Sequence, residues 1–185
     1  TWRLGGSRGS TLGVRWVACE SACVAFVVGA HVAVFDLSVS AAAPAGVARL
    51  ASGDGVVAAA FARRKGASVL LLLADTGDVY AHALEGGADA FRRESDIVVS
   101  NASRLALPEE CRGRAGLDLH YSEAHGVAFA AFDGGASAAF KLDFKLDFKL
   151  GEAKTTCACV LLEGTLPVES SEESVAPSGF SRWSD

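Results

Sequence analysis

Three groups of side chains in this sequence have types and spacings that could do chemistry. The first is the run Leu70-Leu71-Leu72-Leu73-Ala74-Asp75-Thr76-Gly77. An apolar strand running into Asp-Thr-Gly is how an aspartic protease presents a carboxylate, and two such groups sharing a proton would form a dyad in a homodimer. The residue after Gly77 opposes that reading. It is Asp78, whose charge would crowd the dyad, and the later "VLLEG" puts Glu163 where a partner motif needs an apolar residue. Asp-x-Gly is also ordinary hairpin chemistry, because glycine takes positive φ and aspartate bonds its own backbone. The hairpin turn is the main reading of Asp75.

The second group is His120, Glu123 and His125. This is not the H-E-x-x-H arrangement that aims two imidazoles from one helix face at a single metal. It reads as a strand end and a solvated turn. The third group is the cysteines: Cys19, Cys23, Cys111, Cys157 and Cys159, five in all. Their spacings are C-x3-C and C-x-C with one cysteine alone, and a zinc site wants paired ligands at fixed short spacing. Reduced thiols of a cytosolic protein fit better. Cys157 and Cys159 would share a strand face, which leaves a metal or redox pair open there. No G-x-S-x-G, G-x-G-x-x-G or phosphate-cradling glycine loop occurs. The expectation is therefore no catalytic, cofactor-binding or metal-ligating residue in this chain.

The elements that carry these groups read as strands. Short apolar runs, rich in Val, Leu and aromatics, are broken by Gly and Asp turns. They span Val14 to Ala18, Cys23 to Val28, Val32 to Val39, Val56 to Ala62, Val69 to Ala74 and Val79 to Leu84. The series continues at Leu117 to Tyr121, Val127 to Phe132, Ala136 to Leu142 and Thr156 to Leu162. "AAAFARRKGA" has helical composition, but its Val-Val start and Gly66 favour a strand. The fold class is all-β.

A repeat runs through the series. "FVVGAHVAVFDL", "LLLADTGDVYAHAL" and "FAAFDGGASAAFKLD" are each an apolar strand, a glycine-containing turn and a strand with an aromatic. Aligning the aromatics Phe35, Tyr80 and Phe140 gives intervals of 45 and 60 residues. A β-propeller blade takes about 40–50 residues in four strands. The longer interval holds the polar inserts "EGGADAFRRESD" and "LPEECRGRAG", read as loops. The expected architecture is a partial WD40-like propeller of about three four-stranded blades plus the start of a fourth. Residues 1–13 form an irregular lead-in, 14–166 hold blades at roughly 14–52, 53–107 and 116–166, 167–179 form an acidic Ser-rich loop, and 180–185 open the next blade. Phe26, Phe35, Phe61, Tyr80, Phe129 and Phe132 are expected in the core between blades. "FKLDFKLDFKL", from Phe140 to Leu150, reads as a blade strand extended into a long hairpin, the alternative being an exposed edge that pairs with a partner.

The chain has 185 residues, half of them hydrophobic, and a net charge of -5. That suits about one globular domain. Without a basic face, nucleic-acid binding is not expected. No apolar run approaches the roughly 20 residues of a membrane span, and no secretory signal opens the chain. A cytoplasmic location is expected, and the lack of an initiator Met suggests a piece of something longer.

The order of "VRWVACESACVAFVVGAHVAVFDL", "LLLADTGDVYAHALE" and "LDLHYSEAHGVAFAAFDGGASAAF" resembles one region of the giant calossin-type UBR-box ubiquitin ligases, the BIG/Pushover family. The matching pieces are Val34-Phe35-Asp36-Leu37, Gly77 to Tyr80, Tyr121-Ser122, Phe129 to Gly135 and Trp183-Ser184. The FKLD repeats and the high alanine content depart from the pattern. The resemblance implies a propeller embedded in a helical-repeat scaffold, within an N-degron-pathway ligase that recruits a ubiquitin-conjugating enzyme and binds calmodulin. The zinc of that family sits in modules whose Cys/His patterns are not in these residues, so no site residue carries over. The expected function is a non-catalytic segment serving scaffold assembly or substrate and adaptor docking. The alternatives are a standalone propeller-like adaptor unrelated to ubiquitin, completed by blades from elsewhere or by self-association, and a homodimeric aspartic protease using Asp75.

Overall fold

The computed structural model describes residues 15–18, 22–64, 67–142 and 157–160. Strands dominate, in three small sheets. The first sheet is a meander of β1 (Arg15–Ala18), β2 (Cys23–Val28), β3 (His31–Asp36) and β4 (Gly46–Leu50). The second is β5 (Val56–Arg64), β6 (Ala67–Ala74) and β7 (Val79–Leu84). The third is β9 (Gly116–Ser122), β10 (Val127–Phe132), β11 (Ser137–Leu142) and β12 (Cys157–Val160). Between the second and third, β8 (Asp96–Val99) returns to pair in parallel with β4 at the edge of the first sheet.

The four-leucine run is explained by the position of β6. Every residue of β6 is buried. Leu70 and Leu72 join a core with Ala25, Val27, Val32 and Val34 of the first sheet. Val69, Leu71 and Leu73 join a second core with Ala128, Ala130, Phe132 and Phe140 of the third. Successive side chains of a strand point to opposite faces, so a strand covered on both sides is apolar along almost its whole length, with Ser68 the polar exception in β6. The second sheet is thus the middle layer. Its edge strand β5 lies against β1, β2 and β3 on one side and β9 on the other.

Close approaches explain two glycines. A Cβ on Gly116, the first residue of β9, would sit 2.6 Å from the Ala74 carbonyl and 2.7 Å from the Leu73 side chain. Gly77 has φ 88° in the β6–β7 turn, where a Cβ would also run into the Arg114 carbonyl.

Every run expected as a strand contains one. Val32 to Val39 is shorter than expected, because β3 ends at Asp36 and its chain turns there, with Val39 and Ser40 donating to the Asp36 carbonyl at 3.1 and 2.9 Å. Two strands, β4 and β8, were not expected. "EGGADAFRRESD" is not simply a loop: it contains the helix α1 (Asp89–Arg93) and the start of β8. Phe91 is fully buried under α1, in edge contact with Phe61 at 6.4 Å, and anchors it over β4. Although residues 96–99 fall in the second blade by sequence spacing, they hydrogen-bond to the first sheet. The outer edge of β7 instead receives residue 104, through a Tyr80–Arg104 bridge and a 2.7 Å bond from Leu105 N to the Val79 carbonyl. Most of the FKLD run, all of residues 167–185 and the lead-in 1–13 lie outside the described residues.

Candidate interaction surface

Each residue group singled out for chemistry has a defined place. Asp75 and Thr76 are exposed in the β6–β7 turn, which closes with Gly77 N donating to the Ala74 carbonyl at 3.0 Å. The Asp75 N–H donates to the Gly55 carbonyl at 2.9 Å and ties the turn to the β4–β5 connection. This is the hairpin geometry that Asp-x-Gly favours. Asp78 is engaged by Arg104 at 3.0 Å.

His120 lies on β9 opposite Phe129 of β10, and Glu123 and His125 are exposed in the following turn. Ser122 Oγ and His125 Nδ1 are 2.8 Å apart. A serine beside an imidazole is a nucleophile–base pair only if a third group orients the ring. No carboxylate is bonded to His125 among the described residues, and the pair closes a solvated turn instead. Cys111 is buried with its thiol 3.5 Å from the Ser137 carbonyl, Cys23 is half-buried on β2, and Cys157 and Cys159, two residues apart on β12, pair with Leu142 and Phe140. Among the described residues, no three His, Cys, Asp or Glu converge to hold a metal, and no helix is long and apolar enough to cross a membrane.

A polar knot that sequence reasoning missed closes one end of the first sheet. Asp36 is 2% exposed at the end of β3. Its carboxylate accepts from Ser38 N at 3.0 Å, from Ser38 Oγ at 2.5 Å and from Arg92 of α1. Arg92 also pairs with Asp89 at 2.9 Å. The Ser38 and Arg92 bonds together hold the Asp36 carboxyl below the usual carboxylate range, against the opposing effect of burial. A buried carboxylate needs such partners, and this one uses them to pin α1 to the sheet. The D-L-S step after an apolar strand was the available signal, but its partner lies 56 residues away.

Two further groups are shifted by their surroundings. Burial pushes Tyr80 up, and a hydrogen bond with Ser52 opposes it. Burial holds His82 below the ordinary imidazole value, with Glu94 pulling the other way.

The feature most suited to function is an apolar sheet face. On β2 and β3, Ala25, Val27, Val32 and Val34 point into the core, so the alternate residues Val24, Phe26, Val28, His31, Ala33 and Phe35 form the opposite face of the first sheet. The apolar ones are half-buried, His31 is exposed, and Val47 of β4 lies beside Ala33. Phe26 and Phe35 meet edge to face at 5.7 Å and 81°. Val98 of β8 is 41% exposed next to Arg49, whose guanidinium forks onto Asp96 at 3.0 Å and closes the rim. That fork holds Asp96 below and Arg49 above their ordinary values. Phe26 and Phe35 were expected between sheets, and among the described residues no sheet covers them. The expectation fails for Phe129, which is 40% exposed on the outer face of the third sheet. Phe132 is buried as expected.

No protein-family model and no curated protein matches this chain.

Proposed function

We propose that this chain is a non-catalytic protein-interaction module with the architecture of a partial β-propeller. We place it as a segment of a giant N-degron-pathway ubiquitin ligase of the calossin type, where it serves scaffold assembly or the docking of a substrate or adaptor. One observation carries the propeller reading. Phe35, Tyr80 and Phe140 each stand on the third strand of their sheet, on β3, β7 and β11. The three sheets follow one another in sequence and pack face to face, with the edge strands β1, β5 and β9 adjacent. Successive blades around an axis have this relation. In this reading β8 is an extra strand on the outer rim of the first blade, and residues 104–105 stand in for the fourth strand of the second.

The ligase assignment rests on the order of sequence pieces described above. In that setting, partners meet the apolar and exposed faces of the sheets, and catalysis belongs to other modules. The native size of the protein tests the assignment. An antibody raised to residues 150–185 should detect a band far larger than the 19.0 kDa of this chain. A native band near 19.0 kDa would remove the ligase reading and leave an interaction adaptor.

A further inference from the structure

The polar knot at the end of β3 includes a serine hydroxyl within reach of solvent. Asp36 is 2% exposed, and its two carboxylate oxygens are divided between two side chains. Oδ1 accepts from the Ser38 N–H at 3.0 Å and from the Ser38 hydroxyl at 2.5 Å, and Oδ2 accepts from Arg92. Ser38 is exposed in the connection from β3 to β4, where its neighbours Leu37 and Val39 are 50% and 75% exposed. Arg92 is half-exposed, and its other arm pairs with Asp89 within α1 at 2.9 Å. One carboxylate thus joins an accessible hydroxyl to the arginine that pins α1. The helix has five residues, and Phe91 is its one buried side chain. Its place on the sheet therefore depends heavily on the Asp36–Arg92 pair.

We propose that Ser38 is a phosphorylation site and that its phosphoryl group releases α1 from the first sheet. The inference is independent of the propeller and ligase readings. A serine/threonine kinase supplies the group from a nucleoside triphosphate. Ser38 Oγ attacks the γ-phosphorus, an Oγ–P bond forms, and the bond from that phosphorus to the bridging oxygen breaks. The nucleoside diphosphate leaves, and the hydroxyl proton passes to the kinase. The modified Oγ has no proton to donate to Asp36. The group also sets a charge of about −1.5 to −2 beside a buried carboxylate. Asp36 lies in β3, paired with Cys23, so it cannot withdraw. Arg92 is half-exposed and free to turn, and it forks onto the phosphate, which carries the larger charge. Asp36 then keeps the Ser38 N–H but loses the Ser38 hydroxyl and Arg92 together, and a buried charge short of partners is costly. The Arg92 end of α1 comes away from the sheet, and Phe91 opens to solvent. Ser40, two residues on, accepts from Ala42 N at 3.0 Å in its own turn and serves as the comparison site.

The test places phosphoserine at position 38 of the full 185-residue chain by codon suppression and follows hydrogen exchange in α1. The reporters are the Phe91 and Glu94 amides, which bond the Ala88 and Ala90 carbonyls at 3.1 and 2.9 Å. Their exchange should quicken by about tenfold or more, the effect of losing one charge-assisted hydrogen bond. Phosphoserine at position 40 should leave it unchanged. Ser38→Ala, which loses the hydroxyl without adding charge, should move it less than phosphoserine does. With Arg92→Gln already in place, phosphoserine at position 38 should add no further rise. Ser38→Glu, with a smaller charge, serves if the phosphorylated chain does not fold. Unchanged or slower exchange overturns the inference, and so does an equal rise on the Arg92→Gln background. Phosphopeptide mapping of the native protein, from cells treated with a phosphatase inhibitor, should find the group on Ser38. A Ser38 peptide recovered only in unmodified form overturns the assignment of the site.

Discussion

Truncating Leu71 tests the three-layer stacking at its centre. Leu71 is fully buried on β6, on the side facing the third sheet. Its cross-strand neighbours are Ala60 on β5 and Ala81 on β7. Leu71→Ala removes three carbons, worth about 0.8 kcal/mol each in transfer, or roughly 2.4 kcal/mol. A cavity term adds to this, and the measured range for such changes is about 2–5 kcal/mol. Alanine neighbours have no rotamers with which to fill the void, so the upper part, about 3–5 kcal/mol, is expected. For a chain of this size each kcal/mol moves the Tm by about 2–4 °C, giving roughly 6–20 °C. The assay is thermal unfolding followed by circular dichroism, with urea titration to give the free energy. Leu71→Met, which keeps volume, should cost under about 1.5 kcal/mol. Val98→Ala, at a 41% exposed site, should cost less than Leu71→Ala by several-fold. If Leu71→Ala cost no more than Val98→Ala, the third sheet would not cover β6 and the stacking argument would be wrong.

Gly77→Ala puts a Cβ at φ 88° against the Arg114 carbonyl and should cost at least about 1–2 kcal/mol in urea unfolding; a neutral result would refute the turn geometry. Asp36 has a folded-state carboxyl held below 3.8, so its contribution to stability is complete above that pH and is lost as pH falls through the lower folded value. Asp36→Asn should therefore lower the Tm near neutral pH and blunt the extra loss seen on acidification below about pH 4; an unchanged acid limb would show that the knot with Ser38 and Arg92 does not form. His82 is held below 6.5 by burial, so protonation favours the unfolded chain and stability declines as pH drops below 6.5 towards the folded value. His82→Gln should flatten the Tm profile between about pH 7 and 5, and a profile identical to wild type would remove the buried-imidazole assignment.

What the sequence reveals and conceals follows from how many neighbours set each feature. The ten runs expected as strands are each long enough to show their apolar character alone. "GVARL" and "DIVV" do not show it, although β1 and β12 are as short as β8: β4 carries Arg49 and Gly46, β8 opens on Asp96, and each becomes a strand by pairing with a segment that the sequence does not point to. The helix α1 has five residues and one buried side chain, too few for a 3.6-residue period to be seen. Phe129 and Phe132 are a sharper case. Three residues apart on a strand, they point to opposite faces, so at most one can enter the core that Ala128 and Ala130 define. Parity alone could separate them, but only packing chose Phe132.

The same reasoning turns on β2. "CVAFVV" is apolar at every position, close to the pattern of β6, whose one polar residue is Ser68, and β6 is covered on both sides. Isolated sheets with one wet face alternate apolar with polar residues instead. The third sheet partly does so, with Asp118, His120 and Lys141 exposed on its outer side. The first sheet has His31, Arg49 and Asp96 on its outer side, but β2 places only Val24, Phe26 and Val28 there. A strand that spends no polar residue on its outward side is written for a covered position, and the half-burial of Phe26 and Phe35 marks where that cover is missing among the described residues. Val24, Phe26 and Phe35 are therefore where the proposed interaction role is best probed.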